Sequence, residues 1–353
     1  METQDCIAPS YEQLRPMRLL STPDFPVYPD LVNTLAANQA HPDGTVAHVL
    51  ATCAGYGYSD AETVAMIMAR MGLEDNRCRM VAQLVDVMLI SSTAFVIQSR
   101  DGRVVILCYR GTPPASLITW LTDTDVNPEK IPISFPDAPG TFDVHGGVYR
   151  NVRSTRYAIV TALKRALDGQ SVLEKGGSKP QYPLESLYIT GHSLGASMAA
   201  MMGMMLATDS AYAPIAAKLK AVYTFGQFMI GTPMLAEACS DVPFLHNNVI
   251  RYVYANDIAP QLPPTQSGPF EHFGQEYQYR SNGDEGHWHH NTTPRGQLKS
   301  LLEVVGNPLS FVARQFQLTR NITFHASVYD HLPHHYISAL TPPGIHSEYG
   351  GDY

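Results

Sequence analysis

Hydrophobic positions along the chain recur at two spacings. Val64, Ile67, Met68 and Met71 fall three and four residues apart and predict a helix over 60–71. The stretch 91–99 and the apolar run Val104 to Tyr109 predict two strands, joined by Arg100-Asp-Gly-Arg103 with Asp-Gly at the centre of the turn. A helix over 148–167 follows, with Val152, Ile159, Leu163 and Leu167 on its buried side. Next come a strand at 187–190, a sharp turn and a Met-rich helix over 194–207. Strands are expected at 221–225 and 249–254. Helical spacing returns over 297–316 through Leu298, Leu301, Leu302, Val305 and Leu309, interrupted at Gly306-Asn-Pro308. A short helix at 334–340 closes the pattern.

Between these elements the periodicity fails. Residues 1–45 carry Pro9, Pro16, Pro23, Pro26, Pro29 and Pro42 and read as an irregular N-terminal extension. Pro and Gly punctuate 128–147, 169–183 is a polar surface loop, and 263–295 is loop-like. Strands alternating with helices predict an α/β fold, a central, mostly parallel sheet flanked by helices on both faces. The expected organisation is that extension followed by a single α/β domain over 46–353.

Composition narrows the class. With 44% apolar and 16% charged residues in 353, the chain reads as compact and globular. A formal charge of −8 without a basic stripe argues against a nucleic-acid partner. No obligate protein partner is evident. Cys6, Cys53, Cys78, Cys108 and Cys239 are scattered without metal or disulfide spacing and are expected to be mostly free thiols. The apolar run Leu194 to Ala207 spans 14 residues. A bilayer needs about 18 to 20, so a buried helix is expected and no transmembrane segment. The opening Met-Glu-Thr-Gln-Asp lacks a signal-like basic and apolar stretch, which favours a cytoplasmic or lipid-peripheral location over secretion.

The candidate chemistry sits at Thr190-Gly191-His192-Ser193-Leu194-Gly195, which contains G-x-S-x-G. A nucleophile on a strained strand-to-helix turn leaves no room for side chains two residues to either side, so glycines are required there. The helix that follows points its N-terminal N–H groups at developing negative charge. The motif also arises by chance, and a serine that only caps a helix would look the same. Here it lies between an apolar β run and an apolar helical run, as the elbow requires.

A serine hydroxyl needs a base, itself oriented by a carboxylate. On the α/β-hydrolase fold the chain order is Ser, acid, base. Asp257, just beyond the 249–254 strand, is the acid candidate, although a turn aspartate would sit there equally well. Downstream histidines 272, 287, 289, 290, 325, 331, 334, 335 and 346 are all contenders for the base, and spacing does not choose among them. The run Gly286-His287-Trp288-His289-His290 has no Cys or carboxylate at ligand spacing, so it reads as a solvated loop rather than a metal site. The methionines of 194–207 read as core behind the elbow.

Seven segments in order resemble the class 3 lipases, the fungal- and plant-type triacylglycerol lipases of the α/β-hydrolase fold. They are the strand Val104 to Thr112 ending in R-G-[ST], Trp120-Leu-Thr-Asp123, Val144-His-Gly-Gly-Val148, the elbow, Val222-Tyr-Thr-Phe-Gly-Gln227, Asn256 to Pro264, and Asp330-His-Leu-Pro-His-His-Tyr336. The resemblance implies Ser193 as nucleophile, Asp257 as acid and His331 as base. It implies an oxyanion hole from the N–H of Leu194 and the N–H and hydroxyl of Thr112. It further implies an amphipathic lid near 113–126 with Leu117, Ile118, Trp120 and Leu121 as its apolar face. The expected activity is hydrolysis of acylglycerols, lipid esters met at a lipid–water interface, without a cofactor. Phospholipase A1 and short-chain or feruloyl esterase activity are the alternatives within the same framework, and a catalytically silent lipid-binding scaffold is a third. Two departures stand out: Pro113-Pro114 stiffens the start of the lid, and 74 residues separate Asp257 from His331, room for an inserted cap over 265–318.

Overall fold

The computed structural model describes residues 2–8, 26–37, 40–85, 90–112, 128–135, 139–282, 285–292, 296–298 and 327–345. Along these, strand β1 (Glu2–Ile7) is followed by helices α1 (Leu31–Ala36), α2 (Gly44–Tyr56) and α3 (Ala61–Met71). Strands β2 (Arg77–Val85), β3 (Ile90–Gln98) and β4 (Val104–Tyr109) pair antiparallel in turn, with β1 added to the outside of β2. Strands β5 (Pro128–Ser134) and β6 (Pro139–His145) form a separate hairpin that leads into α4 (Gly146–Leu167).

From β4 onward the sheet is parallel. β7 (Ser186–His192) pairs with β4 and leads into α5 (Leu194–Thr208). β8 (Leu219–Phe225), β9 (Val249–Tyr254) and β10 (Gln275–Asn282) follow in parallel order, and β11 (Glu285–Asn291) closes the far edge antiparallel. The order across the main sheet is β1-β2-β3-β4-β7-β8-β9-β10-β11. The last helix, α6 (Pro333–Leu340), packs on α2.

The continuous apolar run in β4 has a two-sided explanation. Val105, Leu107 and Tyr109 pack with α4 and α5, whereas Val104, Ile106 and Cys108 pack with α2 and α3, and all six are buried. A strand covered on both faces has no solvent side to leave polar. Each such side chain contributes about 1.5–3 kcal/mol on burial. On α5, Met198, Met201, Met202 and Met204 are fully buried against this sheet. Among the described residues no helix is long and apolar enough to cross a membrane, and the five cysteines are free thiols.

Four regions differ from the sequence reading. The N-terminal extension expected to be irregular supplies β1 and α1, and α2 already begins at Gly44. An edge strand such as Glu2–Ile7 takes its pairing from a partner, and its own residues need not alternate. Strand β2 has no apolar alternation to predict it, because buried arginines break the pattern. Arg77 donates to the carbonyls of Ser99 and Arg100 at 3.2 and 2.8 Å, and Arg79 pairs with Glu174. The punctuated stretch 128–147 contains the β5–β6 hairpin.

The fourth difference is the largest. Within 263–295, expected to be loop, β10 and β11 extend the central sheet, and the histidine-rich run 286–290 is part of β11. Tyr277 and Tyr279 of β10 stand opposite His290 and Trp288 of β11, so one face is aromatic while the other carries Glu276, Gln278 and Arg280. That alternation builds an edge hairpin masked by its high polarity, and on its hydrophilic face Glu276 and Gln278 are themselves buried. Within 265–318 the stretches 275–282 and 285–291 thus add to the sheet. The predicted helix 297–316 lies outside the described residues except for Gln297 and Leu298, and the lid segment with Leu117, Ile118, Trp120 and Leu121 lies wholly outside them.

Candidate active site

Ser193 stands between the last residue of β7 and the first of α5 with φ 61° and ψ −130°. Such a backbone costs an L-residue on the order of 1–3 kcal/mol and persists only where its surroundings hold it. Those surroundings are visible. The Ser193 N–H donates to the Phe225 carbonyl of β8 at 2.9 Å. A Cβ at Gly191 would fall 2.3 Å from the Gly195 carbonyl oxygen, and one at Gly195 would fall 2.2 Å from that of Tyr109. The two glycines let the turn close and let α5 start directly over the end of β4.

The acid and the base come from loops far apart in sequence. Asp257 follows β9, and its N–H donates to the Tyr254 carbonyl at 2.9 Å. Its carboxylate is fully buried, with Oδ1 accepting from the Ala259 N–H at 2.8 Å. His331 Nδ1 lies 3.0 Å from Oδ1 and 2.9 Å from Oδ2, and the Tyr336 hydroxyl on α6 donates to Oδ2 in a short hydrogen bond. Burial would raise the Asp257 pKa, but the His331 charge together with bonds from His331, Tyr336 and Ala259 outweighs it and holds the carboxyl below its usual value. The two loops are also stitched through their backbones. Ser327 N–H donates to Asn256 O at 2.7 Å, and Asn256 N–H to the Asp330 carboxylate at 3.0 Å.

The His331 ring rests against Phe228, with centroids 6.3 Å apart, and against His192, at 4.6 Å. His192 immediately precedes Ser193, so the imidazole is brought to the elbow. Ser193 Oγ and His331 Nε2 are both buried and make no hydrogen bond of ordinary geometry.

Leu194 opens α5, so its N–H belongs to the first-turn donors that have no acceptor within the helix. Thr112 follows Gly111, where a Cβ would lie 3.1 Å from the Ser193 Cβ and 2.5 Å from the His192 carbonyl oxygen. The end of β4 therefore runs alongside the Ser193 turn, and Thr112 is half-buried beside it.

The other histidines go elsewhere. His335 stacks on Tyr254 with centroids 4.9 Å apart, and His334 packs on His335 and Tyr329. His272 is buried, with Nε2 on the Pro260 carbonyl at 2.7 Å, and His287, His289 and His290 lie on the edge strand β11. His325 and His346 are outside the described residues. Among the described residues no cluster of His, Cys, Asp or Glu could hold a metal ion.

Sequence reasoning assigned no role to three residues at this site. Tyr336 was part of the terminal motif, and a hydroxyl five residues beyond the histidine was the available signal. Gly226, φ +61°, lets the end of β8 pass the Asp257–His331 pair. Tyr58, between α2 and α3, reaches His192 Nδ1 at 2.8 Å, and nothing in its local sequence marked it.

The fold and its elbow define the α/β-hydrolase class. More particularly, the family model described as lipase (class 3) matches residues 106–267, a span holding Ser193 and Asp257 and ending before His331. A triacylglycerol lipase, OBL1, of Arabidopsis thaliana is 27% identical over 212 residues, covering 51% of this chain and 38% of that protein. A lipase of Rhizomucor miehei is 26% identical over 200 residues, covering 56% of this chain and 48% of the other. The chain thus spans less than half the length of either relative. Lipase II from Rhizopus niveus superimposes with a TM-score of 0.56 at 20% identity, covering 82% of this chain and 92% of that one, a likeness of fold.

Proposed function

We propose that this protein is a carboxylic ester hydrolase, a lipase that cleaves acylglycerols through an acyl-serine intermediate. In this reading His331 Nε2 takes the proton of Ser193 Oγ as the hydroxyl oxygen attacks the ester carbonyl. His331 then returns that proton to the leaving alcohol, and a water activated in the same way releases the fatty acid. Asp257 keeps Nδ1–H of His331 in place and stabilises the imidazolium that forms. The N–H of Leu194 and the N–H and hydroxyl of Thr112 receive the oxyanion, each donor contributing about 3–4 kcal/mol to the transition state. The scheme uses no cofactor.

The observation that carries it is the buried His331–Asp257 pair at 2.9 Å, together with the buried Ser193 held at positive φ on the β7–α5 turn. Acylglycerol is favoured as substrate by the two relatives named as lipases and by the family match. The segment 113–126 belongs to the proposal as an interfacial lid. A rate that jumps when substrate exceeds its solubility limit supports it, and a plain hyperbolic rise counts against it.

Turnover of p-nitrophenyl esters from C4 to C16 by wild type and Ser193→Ala tests the central claim. A loss of several orders of magnitude in the variant is expected, and equal turnover would sink the reading. Activity confined to C4 points instead to a short-chain or feruloyl esterase, and a preference for phosphatidylcholine over triacylglycerol to a phospholipase A1.

A further inference from the structure

His192 is 2% exposed and both of its ring nitrogens are engaged. Nε2 lies 2.6 Å from the backbone carbonyl oxygen of His331, and Nδ1 lies 2.8 Å from the Tyr58 hydroxyl. These contacts fix the proton positions. A carbonyl only accepts, so Nε2 carries the hydrogen. In a neutral imidazole Nδ1 is then a lone pair, so Tyr58 must be the donor.

Neutrality follows from the surroundings. The titratable groups facing His192 are Tyr58, His331, Asp257 and Tyr336. Burial, followed by the His331 charge, pushes the His192 pKa down to about 3, against a smaller opposing pull from Asp257. Burial also raises the Tyr58 pKa, against smaller opposing pulls from the Arg110 charge and a hydrogen bond with Ser193, so that hydroxyl keeps its proton at working pH.

We infer that Tyr58 and His192 are positioning residues for the base. They form a second hydrogen-bonded chain, Tyr58 O–H to His192 Nδ1 and His192 Nε2–H to His331 O, that moors the His331 main chain to the nucleophile elbow. The inference rests on the hydrolase reading above. Asp257 grips the His331 ring at Nδ1, and this second chain grips its backbone, so the imidazole is held from both ends. The two rings sit 4.6 Å apart, tilted by 33°. A neutral His192 in that place does not repel the imidazolium that forms on His331 during acyl transfer. A displacement of about 1 Å at a reacting group costs on the order of 10²-fold in rate, so the mooring acts on kcat more than on substrate binding.

Two measurements test it. Ring-nitrogen NMR of the wild-type protein reads the tautomer directly. His192 Nε2 should carry the proton and Nδ1 should be bare from pH 8 to pH 5, and the opposite tautomer overturns the inference. In kinetics, Tyr58→Phe should lower kcat about tenfold, leaving KM within about twofold. His192→Gln, which keeps an N–H for the His331 carbonyl, should stay within about fivefold of wild type, whereas His192→Phe should lose about 10²-fold. Adding Tyr58→Phe to His192→Phe should cost nothing more, a coupling that a general loss of stability would not produce. Wild-type kcat in Tyr58→Phe overturns the mooring whether or not the His192 variants fold. Ser193→Ala, measured alongside, separates the two ideas. If it stays active the hydrolase reading fails, and if it is dead while Tyr58→Phe is normal only the mooring fails.

Discussion

Gly226 stands so close to His331 that a Cβ at position 226 would lie 2.7 Å from His331 Cε1, and equally 2.7 Å from Asp257 Oδ2. Its φ of +61° already places it where L side chains are strained. Gly226→Ala is therefore expected to push Asp257 and His331 apart. We predict a fall in kcat/KM of about 10²-fold or more, larger than its fall in melting temperature would explain. Full activity in this variant would show that the pair tolerates displacement.

Tyr336 and Asp257 set a pH dependence. The Asp257 carboxyl is held below its usual value, with burial opposed by His331, Tyr336 and Ala259. A depressed carboxylate stabilises the fold above its unfolded pKa of about 4, and that contribution is lost as pH falls through the lower folded value. Tyr336→Phe removes one donor and should cost about 1–3 kcal/mol near neutral pH. The urea-midpoint gap between wild type and Tyr336→Phe should shrink as pH falls below about 4. A gap that widens there would contradict the assignment of the charge to Asp257.

His331 and His335 are four residues apart and answer differently to truncation. His331→Ala removes the ring that pairs with Asp257 and should abolish several orders of magnitude of ester turnover. His335 stacks on Tyr254 instead, so His335→Ala should leave turnover largely intact while lowering the melting temperature. The reverse pattern in kcat would move the base to His335.

At the elbow, Gly195→Ala places a methyl group 2.2 Å from the Tyr109 carbonyl oxygen. Backbone cannot yield there without separating α5 from β4. Loss of activity together with a clear drop in thermal stability is expected, in contrast to Ser193→Ala, whose melting curve should stay close to wild type. An active, stable Gly195→Ala would mean the turn is looser than its contacts imply.

The sequence by itself determined the elements whose cause is local. The helix over Ala61–Met71, the β3–β4 hairpin, α4 and the β7–Ser193–α5 elbow follow from apolar spacing, turn chemistry and the need for glycine where backbones touch. Residues 191–195 announce their backbone because no other side chains fit the turn. The choice of His331 among the downstream histidines came from a resemblance, since spacing carries no information about which loop returns to the elbow.

Tertiary structure alone decided the rest. β1 and β2 exist because one strand finds an open edge and because carbonyls and Glu174 satisfy buried arginines. β10 and β11 exist because a polar stretch can still alternate aromatic and hydrophilic faces once β9 offers it a partner. The pairing of Asp257 with His331, and the reach of Tyr58 to His192, join segments dozens of residues or more apart. Local periodicity records which face of an element is buried, but not which distant side chain waits on the other side.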